Sequence, residues 1–218
     1  MFPISDDKPS GHFPFVTFTL IIVSVFVFLL EITAPDPEAF ISQYALIAVN
    51  IDFANRATLY PFITSIFLHG GFVHILSNMW FLWIFGDNVE DALGSVKFLL
   101  FYLTAGIAAS LTQSLFLAGS EIPMLGASGA IAGVLGTYYR LFPKHKIKTL
   151  VPIFGLPAVV SVPASFMLLY WFITQLFAGV ASVGLSTASL GGVAFWAHVG
   201  GFVFGLIFGP VLAVFWRF

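Results

Sequence analysis

The stretch Leu125-Gly126-Ala127-Ser128-Gly129-Ala130-Ile131-Ala132-Gly133 decides how this chain is read. It sets one hydroxyl between glycines, at the start of an apolar segment that stops near Arg140, ahead of Pro143. A helix of about 14 residues is about 20 Å long at 1.5 Å per residue. That is too short for a hydrocarbon layer of about 30 Å. If the segment lies in a membrane, Ser128 sits below one surface and the loop before it dips inward. Non-helical backbone at that depth is tolerated only against protein or a water-filled cavity.

The rest of the chain supplies the membrane. Of 218 residues, 59% are hydrophobic and 8% charged, whereas about a quarter of a soluble domain is charged. The 27 Phe, 5 Trp and 6 Tyr suit lipid-facing surfaces and interfacial belts. The expected fold class is all-α, a polytopic membrane protein built as one six-transmembrane-helix bundle with the lipid bilayer as its surroundings. There is no cysteine, which removes disulfides, thiolate metal sites and cysteine nucleophiles. A net charge of −2 without basic runs excludes nucleic acid as a partner. The oligomeric state is not readable.

Spans are expected at about 14–32, 72–86, 97–118, 128–141, 163–181 and 193–216. The first apolar stretch lacks a small-x-small cleavage site and is read as a retained helix. Residues 33–71 form a first loop with an interfacial segment, broken by Pro35-Asp36-Pro37, and His69-Gly70-Gly71 leads into the second helix. Leu150 to Val162 is apolar but interrupted by Pro152 and Pro157, and has no assigned place. The small, glycine-rich loop 182–192 is expected to be mobile. With six spans, one side carries Lys8, Lys97, Arg140, Lys144, Lys146, Lys148 and Arg217, and the other only Arg56. This asymmetry puts both termini in the cytoplasm. Helices 4 and 6 then run parallel, with Ser128 and His198 near their outer ends. The absence of a transit-peptide-like leader points to a bacterial inner membrane.

Small residues recur every four positions at Ser128, Ala132 and Gly136, and again at Gly201, Gly205 and Gly209. Such faces let helix backbones approach closely in lipid. If the two pack together, Ser128 and His198 meet, and an imidazole within reach of a serine hydroxyl activates it as a nucleophile. Ser128 is equally explained as a packing residue, and helix faces alone do not separate the readings. His74 and Asn78, four apart, share a helix face. With the free N–H groups at the start of helix 4 they form a candidate oxyanion site, or an interhelical pair that only fixes packing. His69 reads as a loop residue. A metal is disfavoured: His69 and His74 are five apart across two glycines, and no acidic residue follows Glu121. No cofactor is called for. The missing carboxylate makes a Ser–His dyad, rather than a triad, the form any hydrolase here would take. A small transporter finds little support, for want of an inverted repeat or an intramembrane carboxylate.

Taken together, these motifs resemble the rhomboid family of intramembrane serine proteases. Gly126-Ala127-Ser128-Gly129 resembles its Gly-x-Ser-Gly motif, and Ala197-His198-Val199-Gly200-Gly201 its Ala-His-x-Gly-Gly motif. His74-Ile75-Leu76-Ser77-Asn78 resembles its His-x-x-x-Asn element, and Val89-Glu90 with Gly94 the end of its second helix. The resemblance runs from about residue 44 to the end. It implies Ser128 as nucleophile, His198 as general base and acid, and His74 and Asn78 as oxyanion donors. It also implies cleavage of transmembrane protein substrates near the outer membrane face, with entry past the fifth span under loop 182–192. Tyr60-Pro61 stands where many members have Trp-Arg, and Ala132 where some carry a tyrosine against which the histidine stacks. A catalytically inactive relative that binds transmembrane helices is the alternative.

Overall fold

The computed structural model describes residues 2–153, 155–182 and 193–214. A strand β1 (Phe2–Asp6) leads into helix α1 (Phe15–Thr33), then two short helices, α2 (Pro37–Tyr44) and α3 (Pro61–Thr64), with single 3-10 turns around them. Helices α4 (Phe72–Leu93), α5 (Ser95–Phe116) and α6 (Ser128–Leu141) follow. A hairpin of β2 (Lys146–Ile153) and β3 (Leu156–Pro163) precedes α7 (Ala164–Ser182) and α8 (Phe195–Val214). The chain is a multi-pass helical membrane protein. Helices α1, α5, α7 and α8 are each long and apolar enough to cross a bilayer, and the segment 56–67 with α4, bent by 80° at the break between them, makes a fifth candidate. The 14-residue α6 is sunk in the bundle, buried at every position from Gly129 to Tyr138.

Its neighbours explain that depth. On one side α6 meets α8 through backbone. A methyl group added at Gly205 would run into the carbonyl oxygen of Gly133, one at Gly201 into that of Gly129, and one at Gly209 into the Thr137 hydroxyl. The residue numbers rise together, so the two helices are parallel. Thr137 ties them further, its hydroxyl lying 3.1 Å from both the Gly133 and Gly205 carbonyls. On the other side, methyls at Gly129 and Gly133 would lie 2.6 Å from the Cβ atoms of Ala109 and Ala105 on α5. The expected face of α6 does meet α8: a methyl on Gly136 would run into the Phe202 carbonyl oxygen, and Ala132 Cβ would lie 3.2 Å from one on Gly201, while Gly129, Gly133 and Thr137 widen the contact on the neighbouring side of the helix. Ser128, at the start of the helix, stands at the edge of the contact and lines a recess.

Two expectations are corrected. The second long helix does not stop at Gly86-Asp87-Asn88 but runs to Leu93. Gly86 is where α1 crosses, since a methyl there would lie 2.9 Å from the Thr17 side chain. Asp87 accepts the backbone N–H of Ser10 (2.9 Å). The real stop is Gly94, at φ 79 in the left-handed region that glycine tolerates. Glu90, inside the extension, accepts the N–H groups of Val16 (2.9 Å) and Thr17 (2.8 Å). It thereby caps α1, whose N-cap Pro14 has no acceptor side chain.

The all-α expectation also gives way, because the chain carries a three-stranded antiparallel sheet in the order β1-β2-β3. Lys146, Lys148 and Leu150 are exposed while Ile147 and Thr149 are fully buried, the period-two pattern of a strand with one face covered. Pro152 and Pro157 pair near the tip, where missing N–H groups cost least. The polar tail supplies the third strand, with Phe2 opposite Leu150 and Asp6 opposite Ile147. Asp6 accepts from the Tyr138 hydroxyl and from Asn88 Nδ2 (2.9 Å), tying the tail to α6 and α4. Beside it, the Lys146 N–H on Asp7 holds that carboxyl below the usual range. That tether is present above the ordinary carboxylate pKa and is lost as pH falls through the lowered one. The ligand atoms of Asp6, Asp7 and His145 lie within 4.8 Å of one another, but hydrogen bonds of the sheet and of Tyr138 already occupy them. The span expected to reach 216, and all of loop 182–192 but Ser182, extend outside the described residues.

The α6–α8 contact is testable. Gly205→Val is expected to destabilise the protein in detergent by about 1–3 kcal/mol, the range for overpacking a tight interface, read as a lowered thermal midpoint.

Candidate active site

Ser128 opens α6. Ala127 before it is already helical and caps nothing with its side chain. The first intrahelical bond after this turn is Ile131 N–H to Ala127 O (2.9 Å). The earlier N–H groups therefore form an uncapped helix N-terminus, which favours negative charge.

The loop ahead of Ser128 is held from two sides. Gly126 donates its N–H to the Ser65 carbonyl (2.8 Å), and Leu46 and Met124 exchange both backbone hydrogen bonds (3.0 and 2.8 Å). The first loop is thus the scaffold of the pre-serine loop, a role its Tyr60-Pro61 did not disclose. Tyr60 itself donates its hydroxyl to the Gln43 carbonyl (2.6 Å). Gly126 has φ 122, and a methyl on it would lie 2.8 Å from His74 Cε1 and Nε2 and 3.7 Å from Asn78 Nδ2. Only glycine lets this loop close on the His74 ring.

His198, on the first turn of α8, places Nε2 2.8 Å from Ser128 Oγ. On its far side, Nδ1 lies 2.7 Å from Gln175 Oε1 on α7. The Trp171 ring, one turn earlier on α7, sits 5.6 Å from the imidazole at 35°. The preceding residue is also held, since Ala197 donates its N–H to Gln113 Oε1 on α5 (3.0 Å). Support that might have come from position 132 therefore comes from α7 and α5.

Ser128, His198, His74 and Asn78 line one recess of about 760 Å³, together with Gly70 and Met124. Asn78 Nδ2 is buried in it without a hydrogen-bond partner, an amide donor left over for a guest. His69 is not among the lining residues. It is fully buried, donates its N–H to Glu31 (3.1 Å) and packs its ring edge-on against His74 at 5.2 Å. It supports His74 from behind.

Chemically, a ring nitrogen at hydrogen-bond distance from a serine hydroxyl is the arrangement that takes the hydroxyl proton as the oxygen attacks. Uncapped N–H groups and an unpartnered amide beside that oxygen suit a developing negative charge. Sequence reasoning missed Gln175, Trp171 and Gln113. The available signal was the amide itself: a Gln within an apolar span is expected to find a partner on another helix.

The sequence model for the Rhomboid domain matches residues 56–215, and the chain belongs to the rhomboid family. It is 36% identical over 155 residues to "Rhomboid protein 1, mitochondrial" of Saccharomyces cerevisiae, covering 67% of this chain and 40% of that protein. It is 29% identical over 127 residues to the human "Presenilin-associated rhomboid-like protein, mitochondrial", covering 54% and 34%. To "Rhomboid protease GluP" of Bacillus subtilis it is 47% identical over 74 residues, covering 34% and 14%. The chain thus spans less than half the length of each of these relatives.

Gly126→Ala is expected to cost about 1–3 kcal/mol, the range for non-glycine residues in such backbone regions, because it also strikes the His74 ring. Gly155→Ala is the control, with φ 81 and no neighbour within 4 Å. Its thermal midpoint should fall by less.

Proposed function

We propose that this chain is an intramembrane serine endopeptidase that cleaves transmembrane protein substrates near the outer membrane face. The observation that carries the reading is the 2.8 Å approach of His198 Nε2 to Ser128 Oγ in a recess that also exposes His74 and Asn78. In this reading Ser128 Oγ attacks the scissile carbonyl while His198 Nε2 takes its proton. His198 then returns that proton to the leaving amine, and water releases the acyl group by the same exchange. The tetrahedral oxygen is held by His74, Asn78 and the Ser128 N–H. The rival expectation, an inactive relative that binds transmembrane helices, has no use for the Ser128–His198 bond or for a spare amide beside it.

The same proposal includes the finer topology. Six spans are reached by counting the short α6 and the bent segment with α4, with both termini cytoplasmic as the distribution of Lys and Arg suggests. Substrate enters past α7, under loop 182–192. A bacterial inner membrane is the proposed location, on the sequence reading; the relatives themselves include mitochondrial and Bacillus subtilis proteins.

Ser128→Ala should abolish cleavage of a transmembrane reporter in liposomes while the thermal midpoint stays unchanged. Asn78→Ala should lower kcat by about 10²–10³, the usual effect of losing one oxyanion donor. Undiminished cleavage by the Ser128 variant would overturn the proposal.

A further inference from the structure

We propose that Gln175 is the positioning residue of His198: its amide oxygen holds the imidazole as the Nδ1–H tautomer, with bare Nε2 turned to the Ser128 hydroxyl. The proposal deepens the protease reading and rests on it for its catalytic consequence.

The tautomer follows from a run of hydrogen bonds with one fixed end. The Trp171 carbonyl can only accept, and it receives the Thr174 hydroxyl proton at 2.6 Å. That hydroxyl has spent its only proton, so toward Gln175 Nε2, 3.3 Å away, it acts as acceptor. The amide nitrogen is thereby assigned to Thr174, and the amide oxygen is the atom 2.7 Å from His198 Nδ1. An amide oxygen donates nothing, so Nδ1 carries the hydrogen. In a neutral imidazole the other nitrogen is then an acceptor, and that nitrogen is the one 2.8 Å from Ser128 Oγ. Turning the amide over would set an NH₂ group against Nδ1 and put the hydrogen on Nε2, where it would block proton transfer from Ser128.

Two features make Gln175 more than incidental packing. No Asp or Glu follows Glu121, and among the described residues none lines the recess, so no carboxylate there takes up the orienting role. Trp171, on the same face of α7, packs against the ring, so one helix supplies both the acceptor and the surface that fix the imidazole. A neutral acceptor orients the ring without adding a buried charge, which a membrane interior penalises.

The test uses the full chain in detergent with ¹⁵N-labelled histidine, the His198 resonances being assigned by comparison with His198→Ala. Wild type should show a neutral His198 ring with its hydrogen on Nδ1. Gln175→Leu should show a mixture of tautomers, and its kcat on a transmembrane reporter should fall about 10- to 100-fold with KM unchanged, less than the roughly 10²–10⁴ lost when acid–base catalysis is removed outright. Gln175→Glu, which keeps an acceptor at the same reach, should recover part of that kcat, whereas Gln175→Met, which keeps the length without the amide oxygen, should not, as a purely space-filling role would not allow. A wild-type ring with hydrogen on Nε2, or a Leu variant with unchanged spectrum and kcat, would overturn the proposal. A wild-type chain that cleaves nothing would defeat the protease reading instead, while the spectrum still decides the tautomer.

Discussion

The structure depends on a contact between two bare backbones. Apolar burial gives membrane helices no reason to associate, because lipid tails are as apolar as leucine. Close approach, with its many small dispersion gains, is what remains. Gly129 and Gly133 on α6 meet Gly201 and Gly205 on α8, and the alanines of α5 close the other side of α6. This register decides where everything else goes. It makes α6 and α8 parallel, brings the first turn of each to the same end of the bundle, and leaves Ser128 beside His198.

Buried polar groups sort themselves around that contact. Each costs free energy unless it is paired, and several of the pairs join different elements. Glu90 caps α1, Glu31 receives the His69 N–H, Gln113 receives that of Ala197, and Gln175 meets His198. These bonds are scaffold: they fix elements that carry no reacting group or hold one in place. Among the described residues six buried side-chain atoms lack a partner, and of these only the Asn78 amide nitrogen belongs to a residue that lines the recess. In the proposed reaction it is held ready for an oxygen that the substrate brings.

Much of this was legible beforehand, for identifiable reasons. The shortness of α6 follows from Pro143 and bilayer thickness, and its burial from the same arithmetic. The small residues Ser128-Ala132-Gly136 and the glycine spacing on α8 announced the contact between the two helices, although four-residue periodicity did not show that Gly129, Gly133 and Thr137 share it. The sheet was hidden since its alternation, Lys146-Ile147-Lys148-Thr149, is short and sits beside prolines that also mark loops. The extension of α4 through Gly86 was hidden because a glycine at a helix crossing reads like one at a helix end. Gln175 was missed because only tertiary packing decides which residue of a neighbouring helix reaches an imidazole 23 positions away.

The most direct measurement of the central claim, that His198 activates Ser128, is the rate of covalent labelling of the detergent-solubilised chain by a fluorophosphonate. The account predicts one label per chain, on Ser128, formed at a rate that falls by orders of magnitude in His198→Ala. Failure of the wild-type chain to label, or labelling of the His198 variant at the wild-type rate, would contradict it.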